Sequence, residues 1–302
     1  MKILLTGATG FLGKRVHSQL IEKGYDVYTF GRSNTLDDRN IYGDLTNDII
    51  YKFDYYDAIV HVAGKAHLVP KNEMDEIDFL NVNVNGTKNL LNSIQSHLKP
   101  RFFIYISSVS VYGLNEANLV DEQTPTLATD AYGKSKLEAE KIIQKWCLEN
   151  GVIWTIFRLP LVAGLNPPGN LGSMISAIRK GYYFNIDGGK AKKSIVLADD
   201  VANIVAIAFG SEGIYNLTDG QHLSFKELSF LISKQLGKKK PKSIPFFLAR
   251  FISVIGDFLG EKAPINSYRF KKIVSELTFD DTQARQKLGW NPGRVIDSII
   301  VN

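Results

Sequence analysis

Cysteine is almost missing: Cys147 is the only one in 302 residues. No intrachain disulfide or cysteine metal cluster can therefore form, and a reducing cytoplasm is the expected compartment. The five histidines (His17, His61, His67, His97 and His222) are scattered, and His61 with His67 lacks a carboxylate at ligand spacing, so no metal site is expected. Cys147 follows Trp146 in a helical pattern and reads as packing rather than nucleophile. Long apolar runs are also missing. The longest candidate, Ile244 to Leu259, is broken by Arg250 and Asp257 and falls short of the roughly 18 residues a spanning helix needs. Met1-Lys2 runs straight into Ile3-Leu4-Leu5 and then glycines, without the pattern of a secretory leader. The charge surplus is small, 36 − 31 = +5. That is modest for a nucleic-acid binder and suits an anionic substrate or membrane surface. Hydrophobic residues at 44% and charged residues at 22% exclude a disordered chain, and the length predicts one large or two coupled domains.

The first two-thirds of the chain alternate short apolar runs with amphipathic stretches. Strands are predicted at Lys2–Thr6, Asp26–Phe30, Asn40–Gly43, Asp57–Val62, Arg101–Ser107 and Ile153–Arg158, and helices at Phe11–Lys23, Phe79–His97 and Tyr132–Asn150. This alternation predicts an α/β fold, a Rossmann-type doubly wound parallel sheet with helices on both faces. Leu165–Asn170 reads as a Pro/Gly/Asn loop, followed by helices at Ser173–Lys180 and Val201–Phe209 and a strand at Gly213–Leu217. From His222 the pattern is mostly helical. The expected division is a dinucleotide-binding unit of residues 1–165 plus about 187–218, and a smaller, mostly helical substrate unit of residues 166–186 and 219–302.

Thr6-Gly7-Ala8-Thr9-Gly10-Phe11-Leu12-Gly13 lies between the first strand and the first helix. Glycines there let the backbone turn, approach a pyrophosphate and pack the helix on the strand, while the helix N-terminus offers free N–H groups. At the end of the second strand Gly31 stands where NAD binders usually place an acid, and Arg32 follows. Arg32 is either a partner for a ribose 2′-phosphate or a solvated surface arginine; NADP(H) is the preferred cofactor, NAD(H) the second candidate. Asp44 is a candidate for the adenine amino group or a turn aspartate. Tyr132 and Lys136 share a helix face at i, i+4 spacing, where a cation stabilises phenolate and makes tyrosine a usable acid or base. Ser108 and Ser110 put hydroxyls at the end of the fifth strand; alone they would read as loop serines bonded to backbone.

Glycine loop, strand-end serine and Tyr/Lys helix, with Asn83-Val84-Asn85-Gly86-Thr87 and Phe279 through Lys287-Leu288-Gly289-Trp290-Asn291-Pro292, resemble the extended short-chain dehydrogenases, the NAD-dependent epimerase/dehydratase family. The resemblance implies Tyr132 as general acid/base, Lys136 on the nicotinamide ribose and lowering the tyrosine pKa, and Ser108 as the catalytic hydroxyl. It implies cofactor contacts at Gly7, Thr9, Gly10, Phe11, Leu12, Gly13, Asp44, Leu45, Val62, Ala63, Gly64, Asn83 and Pro160. Substrate contacts would come from Ser110, Asn170, Leu171, Lys193 and Arg269. It further implies a homodimer through Phe79–His97 and Tyr132–Asn150.

Three departures narrow the activity. Leu161 stands where many members carry asparagine, and Lys193 where arginine is usual, losing the bidentate fork. Val109-Ser110 replaces the Asp-Glu pair of 4,6-dehydratases, so elimination of water has no proton carriers. Hydride transfer at C4 of a UDP-linked (N-acetyl)hexosamine is the expectation, as a 4-ketoreductase or 4-epimerase serving polysaccharide precursors. Within the family the chain looks like enzymes making UDP-N-acetylquinovosamine and like epimerases of N-acetylhexosamine carried by UDP or a lipid diphosphate. A non-catalytic dinucleotide sensor is the alternative of another class. Residues 244–259, preceded by Lys238-Lys239-Lys240-Pro241-Lys242, form either a helix with its apolar face buried or a basic amphipathic helix lying on a membrane.

Overall fold

The computed structural model describes residues 1–33, 38–47, 51–66, 72–94, 98–259, 266–298 and 301, the side chains of Leu259, Tyr268 and Arg269 excepted. Seven parallel strands form the central sheet: β1 (Lys2–Thr6), β2 (Asp26–Gly31), β3 (Asn40–Tyr42), β4 (Ala58–His61), β5 (Phe102–Ser108), β6 (Ile153–Leu159) and β7 (Gly213–Asn216). Their spatial order is 3-2-1-4-5-6-7, with Leu4 opposite both Tyr28 and Ile59. The order reverses between β1 and β4, the switch point where open α/β sheets bind ligands beyond the strand ends. Period-2 alternation sends Ile3, Leu5, Ile104 and Ile106 into one core layer and Leu4, Phe103 and Tyr105 into the other. Both layers are buried, so these strands read as unbroken apolar runs.

Helices α1 (Phe11–Glu22) and α6 (Ala198–Val205) cover the first face. The second is covered by α3 (Gly86–Asn92) and α4 (Ala131–Asn150). The helix expected over 79–97 begins earlier, as α2 (Glu73–Phe79), capped by the Asn72 side chain on Asp75 N–H at 2.9 Å. It widens into a π-helical turn over Leu80–Asn85 before α3. Residues 95–97 of the expected range lie outside the described residues.

The segment read as a loop at Leu165–Asn170 ends in a helix: Pro168, with its φ already fixed, precedes α5 (Gly169–Lys180). The later helices are α7 (Phe225–Gln235), α8 (Phe246–Leu259), α9 (Ser267–Val274), α10 (Thr282–Leu288) and α11 (Val295–Ser298). Two-stranded parallel pairs lie outside the central sheet: Leu161–Ala163 with Ile195–Leu197, Asn185–Ile186 with Ser243–Ile244, and Ala117–Val120 with Leu277–Phe279, the last tying the segment before α10 to the connection between β5 and α4. Trp290 anchors the C-terminal motif, donating from Nε1 to Thr218 O at 2.9 Å within the first core layer.

Helix α8 is turned the opposite way from a core helix. Ala249, Ser253 and Gly256 face inward, while Phe247, Phe251 and Phe258 are 74%, 64% and 88% exposed. The apolar face is therefore not buried against the described residues.

Candidate active site

The β1–α1 junction is built for close approach. Gly7 has φ +75°, and a Cβ there would stand 2.6 Å from Ala63 N; a Cβ on Gly13 would lie within 1.9 Å of Gly7 O. These contacts explain both glycines: one lets β1 turn beside the end of β4, the other seats α1 on that turn. Gly10 caps α1 without any side-chain acceptor, which leaves first-turn N–H groups facing outward for an anion. Thr9 and Gly10 are exposed there, whereas Leu12 is 9% exposed and in the core, so only its backbone is offered. Opposite, a Cβ on Gly64 would meet Asn83 Oδ1 at 3.0 Å and Lys136 Nζ at 3.2 Å. Such a bare backbone cradle fits a dinucleotide pyrophosphate and ribose.

A buried polar chain runs beneath the cradle. Thr87 Oγ1 donates to Asn83 O at 2.7 Å, so it must accept from His61 Nε2, 3.0 Å away. His61 Nδ1 then accepts from Thr6 Oγ1 at 2.7 Å, and Thr6 Oγ1 accepts from Ala63 N–H at 3.3 Å. Burial, with the Lys136 charge, pushes the His61 pKa down to about 3 and keeps the ring neutral. From the π-helical turn, Asn83 accepts from Lys65 N–H at 2.7 Å and donates to Lys65 O at 3.0 Å and Ser135 Oγ at 2.9 Å. Ser135 Oγ donates to Tyr132 O at 2.8 Å. One hydrogen-bond chain thus ties the glycine loop to the helix bearing Tyr132.

Ser108, Tyr132 and Lys136 come together at the carboxyl end of β5. Ser108 is 7% exposed and stands near enough to the Tyr132 phenol for its hydroxyl to favour the phenolate; its Oγ lies 3.2 Å from Ser110 Oγ. Gly133 permits this approach, since a Cβ there would stand 2.5 Å from Ser110 O. Asp130 caps α4 by accepting from Gly133 N–H at 2.9 Å.

The expected depression of the tyrosine by Lys136 is not what this arrangement produces. Burial raises the Tyr132 pKa, the Ser108 hydroxyl opposes that rise, and the Asp130 charge adds to it. Lys136 instead runs inward, donating to Ile106 O at 2.8 Å and Tyr105 Oη at 3.1 Å. Burial pulls its pKa down to about 8 against the opposing charge of Glu140. Glu140, 1% exposed on its side chain, accepts from Ser107 Oγ at 2.5 Å and pairs with Arg158 at 2.7 Å.

The remaining expected contacts divide. Val62, Ala63, Gly64 and Pro160 cluster at strand ends, with Pro160 joining β6 to Leu161–Ala163. Asp44 accepts from Thr46 N–H and Oγ1, both at 2.9 Å, so it closes a turn and keeps its other oxygen available. Leu45 is core. Arg32 extends into solvent with its side chain 79% exposed, 4.0 Å from Asp44 Oδ2. Asn170 is exposed in the first turn of α5, but the Leu171 side chain is 3% exposed in the core with Met174 and Ile175, so a contact from Leu171 is limited to its backbone. A cleft of about 500 Å³ beside α5 is lined by Asn166, Ser173, Arg179 and Tyr182 and includes none of the expected site residues. Lys193 is half-buried with its pKa lowered to about 8 by burial and Lys272. The Arg269 side chain lies outside the described residues.

Sequence reading missed His61, Tyr105, Gly133, Ser135 and the Glu140–Arg158 pair. Tyr105 and Glu140 carried a signal: a polar tip on a buried strand, and an acid one turn after Lys136 on its inward face.

The profile of the NAD dependent epimerase/dehydratase family matches residues 3–217. The undecaprenol-linked N-acetyl-α-D-glucosaminyl-diphosphate 4-epimerase of Escherichia coli O157:H7 is 26% identical over 300 residues, covering 93% of this chain and 88% of that protein. The UDP-glucose 4-epimerase of Thermotoga maritima, solved with UDP-glucose, superposes with TM-score 0.76 at 22% identity, over 97% of this chain and 94% of that one. The UDP-glucuronic acid 4-epimerase of Bacillus cereus, solved with NAD, gives TM-score 0.76 at 19% identity, over 98% and 93%. The chain belongs to the NAD dependent epimerase/dehydratase family, a family of enzymes.

Proposed function

We propose that this enzyme is a sugar 4-epimerase acting on a diphosphate-activated hexosamine, with a UDP-linked N-acetylhexosamine as the first substrate to test. The observation that carries the reading is the meeting of Ser108, Tyr132 and Lys136 beside a glycine cradle. Gly7, Gly10, Gly13 and Gly64 would hold a nicotinamide dinucleotide, which when bound supplies reversible oxidation at C4. The chain's own residues do the rest. Tyr132 Oη takes the proton of the 4-hydroxyl and returns it, while Ser108 Oγ orients that oxygen and eases ionisation of the phenol. Lys136 Nζ, turned inward to Ile106 O and Tyr105 Oη, keeps its positive charge beside the cradle rather than on the phenol. Asn83 and Ser135 fix the start of α4 and with it the tyrosine. Lys193 would meet the diphosphate, half-buried and therefore sensitive to pH near 8.

Gly31-Arg32 favours NADP(H) within this reading and supports a second one, a 4-ketoreductase consuming NADPH. Incubation with UDP-N-acetylglucosamine and no added cofactor distinguishes them. Appearance of the C4 epimer supports the epimerase. No epimer, with stoichiometric NADPH loss on a UDP-4-keto-6-deoxy sugar, establishes the reductase.

A further inference from the structure

We propose that α8 is a bilayer-docking surface, which would hold this site at the membrane face where a hexosamine carried on a lipid diphosphate is within reach. Phe247, Phe251, Val254, Ile255 and Phe258 recur at helical spacing along one stripe, exposed by 74%, 64%, 46%, 44% and 88%. The buried residues among those described on the helix are small: Ala249, Ser253 and Gly256. A core helix does the reverse, and an apolar stripe this size in water needs a partner. At 14 residues α8 is about 21 Å long; no described helix is long and apolar enough to cross a membrane. A helix of this kind lies in the headgroup plane, its aromatic side chains buried at the acyl boundary.

The surrounding charge selects the occupant. Lys238, Lys239, Lys240 and Lys242 are exposed immediately before the helix, and Arg250 is exposed on it. In a two-fold contact between copies of this chain these cations would face one another, whereas an anionic bilayer complements them. The helix also lies one layer from the proposed diphosphate contact. Ala249 and Phe246 pack on Phe270 of α9, and Lys272 of α9 is near enough to Lys193 to act on its charge. The lipid part of the inference rests on the proposed epimerase reading; the docking part does not.

Flotation of the full chain with phosphatidylcholine vesicles, with and without phosphatidylglycerol, tests it. The expected result is binding to the anionic vesicles, weakened by salt and lowered at least about tenfold by the triple substitution Phe247→Ser, Phe251→Ser, Phe258→Ser. Lys238→Gln with Lys239→Gln and Lys240→Gln, which leaves the helix untouched, should cost roughly fivefold per lysine. Turnover of soluble UDP-sugar should be unchanged in both variants, so failure of the epimerase reading shows separately. Wild-type protein that stays with the soluble fraction overturns the proposal. So does binding that both variants retain, or an α8-dependent dimer in light scattering without vesicle binding.

Discussion

Replacing Glu140 by glutamine breaks the most deeply buried ion pair among the described residues. Its side chain is 1% exposed and that of Arg158 is 4%. Arg158 donates Nη2 to Oε2 at 2.7 Å and Nε to Oε1 at 3.1 Å, and lies 4.8 Å over the Tyr112 ring. Cut at the surface, such a pair would cost at most about 1 kcal/mol. Here the substitution leaves a guanidinium without its counter-charge in the core, which costs about 3–5 kcal/mol, a large share of a typical total of about 5–15 kcal/mol. Urea denaturation should show that loss, with a melting point lower by at least roughly 5 °C. The double variant Glu140→Leu/Arg158→Met, which removes both charges, should recover most of it. The active site feels the same change, because Glu140 holds up the Lys136 pKa against burial. Lysine acts here as the cation, so activity falls as pH rises through its pKa; without Glu140 that limb moves below pH 8. A Glu140→Gln protein within about 1 kcal/mol of wild type, with an unmoved alkaline limb, would refute the reasoning.

Three further outcomes follow from the geometry. His61 has a folded pKa near 3 against about 6.5 unfolded, so the unfolded chain binds the extra proton. Its contribution is complete above about pH 6.5 and is lost as pH falls toward 3, at up to about 1.4 kcal/mol per pH unit; denaturation at several pH values should show less of this slope in His61→Gln. Gly133→Ala places a Cβ 2.5 Å from Ser110 O, and the displaced Tyr132 should lose about 100-fold in turnover while the protein stays folded; undiminished turnover counts against the Ser108–Tyr132 arrangement. Arg32→Ala should weaken NADPH binding roughly 10- to 100-fold and leave NADH binding unchanged, as titration calorimetry can measure; an unchanged NADPH affinity, or an equal loss for both cofactors, would refute a 2′-phosphate contact.

Much of this architecture is legible from composition and period alone, for physical reasons. Strands β1, β4 and β5 are buried on both faces, so they appear as apolar runs within a residue of their true ends. The glycine loop is legible because close backbone approach admits no other residue there. Helix α2 is not, since Glu73-Met74-Asp75-Glu76-Ile77 leaves Met74 and Ile77 exposed and its start depends on the Asn72 cap. Spacing places Lys136 on the face of Tyr132 but not its Nζ, which follows the buried Ile106 carbonyl and Tyr105 hydroxyl. The stripe on α8 is plain in sequence, yet a pattern does not say which side meets the protein. The small residues at 249, 253 and 256 were the available signal.

The central claim, reversible oxidation at C4 with Tyr132 moving the proton, meets its most direct test in an isotope label. Wild-type and Tyr132→Phe proteins would be given UDP-N-acetylglucosamine deuterated at C4, and the epimer analysed by NMR. The account predicts deuterium retained at C4 of the product and a rate at least about 100-fold lower in the variant. Deuterium lost to solvent, or a Tyr132→Phe enzyme as fast as wild type, would contradict it.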